Sequence, residues 1–173
     1  MLCDLLRLAT PKVLAPVYPQ LYHMLAVCDA AVAASVAAKT GTVLSKYRVK
    51  LAGRLALVLL ERRAGAGSDE VAGEVEVIVQ EMLEALADKD TVVRFSAAKY
   101  LARMAERLPA DMAEDVAGAL LEMFEGGFEE VDTAERVLQG CCFAFAELAR
   151  RGRVPNELVP GLIDCALRVS LPT

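Results

Sequence analysis

The side chains that most often catalyse reactions or bind metals are few in this sequence. His23 is the single histidine among the 173 residues, and it lies between Tyr22 and Met24 in an apolar stretch. A serine or cysteine nucleophile needs a nearby base and a metal ion needs several ligands, so one histidine supports neither kind of site. Residues 64–67 contain two glycines but lack the lysine of a phosphate-binding loop. The sequence therefore predicts a protein that is not an enzyme, with no catalytic residue, no cofactor and no metal.

The cysteines and the longest apolar stretch indicate a reducing, aqueous compartment. Five cysteines occur, at positions 3, 28, 141, 142 and 165. Their number is odd and the adjacent pair cannot form an unstrained disulfide, so buried, reduced thiols are the simpler interpretation. The apolar stretch 25–38 contains Asp29 and is too short to cross a bilayer, and the N-terminus has no features of a signal peptide. These features predict a cytoplasmic protein without a membrane span.

Composition favours helices. Hydrophobic residues make up 55% of the chain, but aromatic residues only 5%, and tryptophan is absent. A core of small aliphatic side chains suits closely stacked helices better than a β-sandwich or barrel. The apolar excess also suggests a fragment of a longer array, whose ends neighbouring repeats would cover. The predicted fold class is all-α.

The sequence aligns with itself when it is shifted by 44 residues. Three segments then match at four positions, spaced four, four and three residues apart: Val49, Val93 and Val137; Gly53, Ala97 and Cys141; Leu57, Leu101 and Phe145; Leu60, Met104 and Leu148. This spacing defines one helix face, and the residue in the second position is small enough for another helix to approach. A period of 44 residues is typical of HEAT and armadillo arrays. We therefore predict a HEAT-type α-solenoid of about four helical hairpins.

The repeat predicts how the chain is divided. Residues 1–173 form a single array with units at about 13–62, 70–107, 111–151 and, in part, 157–173. Helices are expected at 2–9, 13–38, 43–62, 70–87, 91–107, 111–125, 133–151 and 157–169. Ser68 with Asp69 is expected to cap the fourth helix, Asp111 the sixth, and residues 64–69 to form a flexible loop.

The clearest repeat, at 83–108, carries the HEAT signature. Its residues are Asp88, Val93, Arg94, Ala97 and Leu101. An aspartate just before a helix can accept hydrogen bonds from the free N–H groups of its first turn. We expect Asp88 to do so, and Arg94 to pair with an aspartate of the neighbouring turn.

Charge follows the repeat. The first helices of two repeats, 69–87 and 111–130, contain thirteen acidic residues and no Lys or Arg. The second helices, 43–63, 90–107 and 133–153, contain fourteen basic and five acidic residues, a net charge of 14 − 5 = +9. One interpretation is that these charges pair within the stack or with helix ends. The other is a basic surface that attracts an acidic protein, with Arg54, Lys99, Arg103 and Arg150 as candidate partner-binding residues. Nucleic acid is disfavoured by the pI of about 5.0 and the few aromatic residues.

Residues 88–109, DKDTVVRFSAAKYLARMAERLP, resemble the tubulin-folding cofactor D family. The segments SKYRVKLAGRLALVLLERR, AEDVAGALLEMF and GCCFAFAELARRGRVP are similar to the same family in the same order, so the resemblance covers about 43–160. Phe95 stands where the family has tryptophan, and an acidic loop expected near 64–69 is nearly absent.

The resemblance implies a cytoplasmic, cytoskeleton-associated chaperone. It implies a protein that binds β-tubulin and helps assemble and release the α/β-tubulin heterodimer as a non-catalytic scaffold. The implied partners are β-tubulin, tubulin-folding cofactors C and E, and a small Arf-like GTPase, and with cofactor C such a protein promotes GTP hydrolysis by tubulin. The alternative is a generic HEAT-repeat adaptor or transport scaffold, a class that shares the repeat but not the run at 88–98.

Overall fold

The computed structural model describes residues 41–66, 71, 73–126 and 131–170, and six single positions before them, 13, 17, 20, 23, 24 and 27. All regular structure within 41–66, 73–126 and 131–170 is helical: α1 (Gly41–Ala66), α2 (Gly73–Ala85), α3 (Thr91–Ala105), α4 (Ala110–Glu125), α5 (Val131–Ala149), a 3-10 turn (Asn156–Leu158) and α6 (Val159–Ser170). The all-α class is confirmed. The predicted helix 2–9, most of 13–38 and the cap at Ser68 and Asp69 lie outside the described residues.

The helices form two layers. We call α1, α3 and α5 the second-helix layer, because α3 packs between the other two along its length. Contacts within this layer join residues about one repeat apart: Arg54 reaches Tyr100, and Arg94 reaches Gln139. For α3 and α5 the contacts advance together along both helices, from Arg94–Gln139 near their starts to Glu106–Arg153 just after their ends, so these two helices run parallel. We call α2 and α4 the first-helix layer, and each packs against the second helix that follows it in the chain. This stacking of hairpins confirms the helical solenoid.

The predicted apolar stripe is buried in all three second helices. Val49, Val93 and Val137 are exposed by only 2%, 1% and 3%. The nine other residues of the stripe are buried as well. Equivalent residues therefore occupy equivalent places in the core, as the 44-residue period predicted.

Two glycines of the second helices, Gly53 in the stripe and Gly140 beside it, are required by close contacts with neighbouring segments. A Cβ added to Gly53 of α1 would lie 2.3 Å from Cγ of Tyr100 on α3. Beside Cys141, a Cβ on Gly140 would lie 2.1 Å from the carbonyl oxygen of Leu86. Neighbouring helices can approach this closely only where the side chain is absent or short.

Two predicted boundaries are wrong. α1 continues to Ala66, so residues 64–66 form its last turn and are not a loop. Asp111 is not the cap of α4, because this helix begins at Ala110 after Pro109, and no side chain caps it. Asp111 lies in the first turn instead, where its negative charge interacts favourably with the helix dipole.

Within the described part of the chain, no helix has both the length and the hydropathy needed to span a membrane. The same residues contain no group of three or more His, Cys, Asp or Glu side chains placed to hold a metal ion.

Candidate protein-interaction surface

The turn before α3 is built by two aspartates with different roles. Asp90 is the N-cap of α3, and its carboxylate accepts hydrogen bonds from the backbone N–H of Val92 at 2.7 Å and of Val93 at 3.3 Å. Asp88 Oδ1 accepts from the N–H of Asp90 at 2.7 Å, which shapes the turn one step earlier. The capping role expected for Asp88 therefore belongs to Asp90, because α3 begins at Thr91, as predicted, and Asp90 is the residue immediately before it.

Arg94 connects two repeats. Its side chain is only 5% exposed and donates hydrogen bonds to the carbonyl oxygen of Asp88 at 2.6 Å, to Thr91 Oγ1 at 2.9 Å and to Gln139 Oε1 on α5. All three acceptors are neutral, so the expected pairing with an aspartate carboxylate is wrong. The other signature residues, Val93, Ala97 and Leu101, are buried beside it. The signature residues thus lie where repeats meet, in a structural position.

Tyr100 brings together two of the four predicted partner-binding residues. Nε of the half-buried Arg54 donates to its hydroxyl at 3.0 Å, and the guanidinium of Arg103 lies 5.6 Å from its ring centroid. Lys99 is exposed one turn before Arg103 and makes no ion pair with another described residue. Arg150 lies apart at the end of α5, where its side chain is 72% exposed and pairs with Glu147 at 2.8 Å.

Other basic side chains of the second helices form ion pairs inside the helical stack. Arg48 on α1 pairs with Glu81 on α2 at 2.9 Å. Arg151 pairs with the buried Glu147 at 2.5 Å and lies 3.8 Å from Glu106 at the end of α3. These contacts hold helices together, so part of the positive charge is internal to the fold, as the first interpretation of the charge pattern expected.

An exposed apolar surface was missed by the sequence analysis. On α3, Val92 is 48% exposed and Phe95 44% exposed, on the side facing away from the buried stripe. Phe95 contacts the half-buried Phe143 of α5 edge to face, with ring centroids 5.7 Å apart and planes at 88°. Lys99 follows one turn after Phe95. The spacing of positions 92, 95 and 99 could have predicted that these side chains share one helix face. The sequence analysis considered only the face that carries the 44-residue stripe, and these positions lie on another face.

The cysteines that can be described differ from one another. Cys141 is fully buried, and this burial raises the pKa of its thiol to about 12, so it stays protonated and unreactive at neutral pH. Cys142 is exposed, so the expectation that all five thiols are buried is wrong. The helix turns by about 100° between adjacent residues, which places neighbours on different faces.

Comparison with known proteins identifies a family and two relatives to which this chain is similar. The family model described as "Tubulin-specific chaperone D-like, ARM repeats" matches residues 66–170. The chain is similar to tubulin-specific chaperone D of Dictyostelium discoideum, with 37% identity over 86 residues, which are 49% of this chain and 6% of that protein. It is also similar to tubulin-folding cofactor D of Schizosaccharomyces pombe, with 38% identity over 96 residues, 50% of this chain and 9% of the relative. The chain thus spans a small part of the length of these relatives. No solved structure matches it significantly.

Proposed function

Because the chain belongs to the family of tubulin-specific chaperone D-like ARM-repeat proteins, we propose that it is a segment of a tubulin-folding chaperone that binds β-tubulin. The observation that carries this proposal is the family match over 66–170, which includes α2 to α6 and the repeat with the best-preserved signature. The whole protein helps to assemble and release the α/β-tubulin heterodimer, and this array contributes to it as a non-catalytic scaffold.

The distribution of charge supports a binding role. The second helices carry a net charge of 14 − 5 = +9, whereas the first-helix segments are acidic. A surface of one sign raises the rate at which an oppositely charged protein meets it in the right orientation. Arg54, Lys99, Arg103 and Arg150 are the proposed partner-binding residues, and an acidic protein is the proposed partner.

The remaining features of the proposal concern the longer protein. Tubulin-folding cofactors C and E and a small Arf-like GTPase act with it in the cytoplasm, in association with the cytoskeleton. Promotion of GTP hydrolysis by tubulin depends on cofactor C and not on a residue of this chain. Within the chain, the repeat units at 13–62, 70–107, 111–151 and 157–173 are the proposed structural subdivisions.

A capture experiment tests the proposal. The full chain is immobilised and incubated with newly translated β-tubulin, with purified αβ-tubulin, and with an unrelated acidic protein of similar pI. Retention of β-tubulin but not of the unrelated protein is the expected result. If β-tubulin is retained no better than the acidic control, this segment does not bind tubulin, and a general adaptor function becomes the better explanation.

A further inference from the structure

The second-helix layer carries a strip of three exposed side chains and one half-buried aromatic ring, which we call the α3 strip. It consists of Val92, Phe95 and Lys99 on α3 and Phe143 on α5. Positions 92, 95 and 99 recur at helical spacing, so their side chains share one face. The ring of Phe143 lies against that of Phe95, which joins the two helices into one surface.

The packing of the helices against one another does not explain why apolar side chains occupy this strip. α3 meets its packing requirements with Val93, Ala97 and Leu101, which are all buried. Single exposed apolar residues are ordinary, but here a valine and a phenylalanine, each nearly half exposed, adjoin a second aromatic ring. Aromatic side chains at the centre of a contact surface are the residues that most often dominate binding.

The charges around the strip are mainly positive. Lys99 lies about 6 Å along the helix from Phe95, and Arg103 lies one turn further, resting on the ring of Tyr100. Asp90 is the acidic residue nearest the apolar end of the strip, and its carboxylate caps α3 by accepting a hydrogen bond from the backbone N–H of Val92 at 2.7 Å. At the other end Glu106 follows α3 and contacts Arg107 and Arg151. An apolar half is therefore followed by a basic half along one helix.

We propose that the α3 strip binds an acidic amphipathic segment of the protein that this chain chaperones. An apolar side chain of the segment covers Phe95 and Phe143, and carboxylates one and two helical turns further along contact Lys99 and Arg103. The inference rests on the proposed function, because the chaperoned protein is tubulin if that function is correct, and the acidic segment is then part of tubulin. Charge complementarity selects an acidic segment, because a basic one would place like charges beside Lys99 and Arg103.

The test uses the full chain and two probes. One is purified αβ-tubulin. The other is a synthetic helical peptide with leucines along one face and glutamates beside them, compared with the same peptide carrying lysine for glutamate. The variants are Phe95→Ala and Lys99→Glu. Matched controls are Val77→Ala, which removes a similarly exposed apolar side chain (48% against 44% for Phe95) from α2, and Lys89→Glu, which reverses an exposed charge in the turn before α3.

The expected result is binding of the acidic peptide and tubulin by the native chain, and about tenfold weaker binding by each strip variant but not by the controls. The loss caused by Lys99→Glu shrinks at high salt, whereas the loss caused by Phe95→Ala does not. Circular dichroism checks folding. Lys99→Glu changes an exposed side chain, so it keeps the test valid if Phe95→Ala loosens the helix contact.

The outcomes separate the two proposals. If tubulin binds the native chain and all variants equally, the α3 strip is not the docking surface, while the proposed function stands. If the acidic peptide binds through the strip but tubulin does not bind, the strip is supported and the tubulin assignment fails. Equal binding of the acidic and basic peptides, or of neither, overturns the inference about the strip.

Discussion

Replacing Gly53 by alanine should destabilise the chain, although alanine favours helices more than glycine does. The new Cβ would lie 2.3 Å from Cγ and 2.5 Å from Cδ1 of Tyr100, whereas carbon atoms in contact are normally about 3.5–4.0 Å apart. Tyr100 is buried and its hydroxyl is bonded to Arg54 at 3.0 Å. The ring can move aside only by giving up that bond or by separating α1 from α3.

The magnitude follows from three contributions. Overpacking costs about 1–3 kcal/mol, and loss of the hydrogen bond costs about 0.5–1.5 kcal/mol. The helix propensity of alanine offsets about 1 kcal/mol of this. We therefore expect Gly53→Ala to lower the free energy of unfolding by about 0.5–3.5 kcal/mol.

Gly118→Ala is the matched control. Gly118 also lies in a helix, but no atom approaches within 4 Å of the position of its added Cβ. This substitution should stabilise by about 0.5–1 kcal/mol. At roughly 2–4 °C per kcal/mol for a chain of this size, Gly53→Ala should melt about 2–18 °C below Gly118→Ala in thermal denaturation followed by circular dichroism.

The reasoning is refuted if Gly53→Ala melts at or above the native temperature while Gly118→Ala behaves as expected. A second measurement isolates the cause. In a Tyr100→Ala background the obstructing ring is gone, but Cβ of residue 100 still lies 2.7 Å from the position of the new Cβ, so the penalty of Gly53→Ala should become smaller without disappearing. If the penalty is undiminished in that background, the ring of Tyr100 is not what limits the space at this position.

The remaining predictions concern the polar contacts that hold the stack. Asp90→Ala should lower stability by about 1 kcal/mol because it removes the N-cap of α3. It should be less stable than Asp88→Ala, because the Asp88 carboxylate accepts only one backbone hydrogen bond in the turn. The reverse order in a denaturant titration would contradict the cap assignment. Arg94→Met should cost about 1–3 kcal/mol, because it leaves the carbonyl of Asp88 and the amide of Gln139 without this donor; an unchanged urea midpoint would show that the link between repeats contributes nothing. Glu147→Gln should lower the free energy of unfolding by about 1–3 kcal/mol, because the Glu147 side chain is buried against Arg150 and Arg151. High salt should reduce the difference in stability between this variant and the native chain only slightly. Complete loss of that difference at high salt would mean that these ion pairs are open to solvent.

The repeat could be predicted from the sequence because its signal is local. Burial of a helix face requires apolar residues at fixed short spacing, so three copies of that spacing 44 residues apart determine both the helices and their stacking. The burial of Val49, Val93 and Val137 confirms this, and so does the contact that makes Gly53 necessary.

The polar details could not be predicted in the same way. Asp88 and Asp90 are chemically identical and two residues apart, so which of them caps α3 depends on where the turn ends. The acceptor of Arg94 on α5 is set by how far that helix is displaced along α3, and short-range patterns do not contain this displacement. Phe95 shows a related limit: an aromatic residue suggests packing, but its half-exposed position is decided by the face on which it falls.

The basic side chains of the second helices differ in the contacts they make inside the fold. Arg151 and Arg153 lie beyond or at the end of α5 and bind Glu147, Glu106 or a carbonyl oxygen there, so their charge joins neighbouring repeats. Lys99 lies within a helix, where the backbone carbonyls are already bonded along the chain, and its side chain is exposed. Cations at helix ends find acceptors inside the fold, because the last carbonyls of a helix have no partner within it. Arg48 and Arg54 lie within α1 and contact Glu81 and Tyr100, whereas Lys99 makes no ion pair with another described residue. This difference is why we propose the middle of α3, beside the exposed Phe95, as the place where a partner meets this layer.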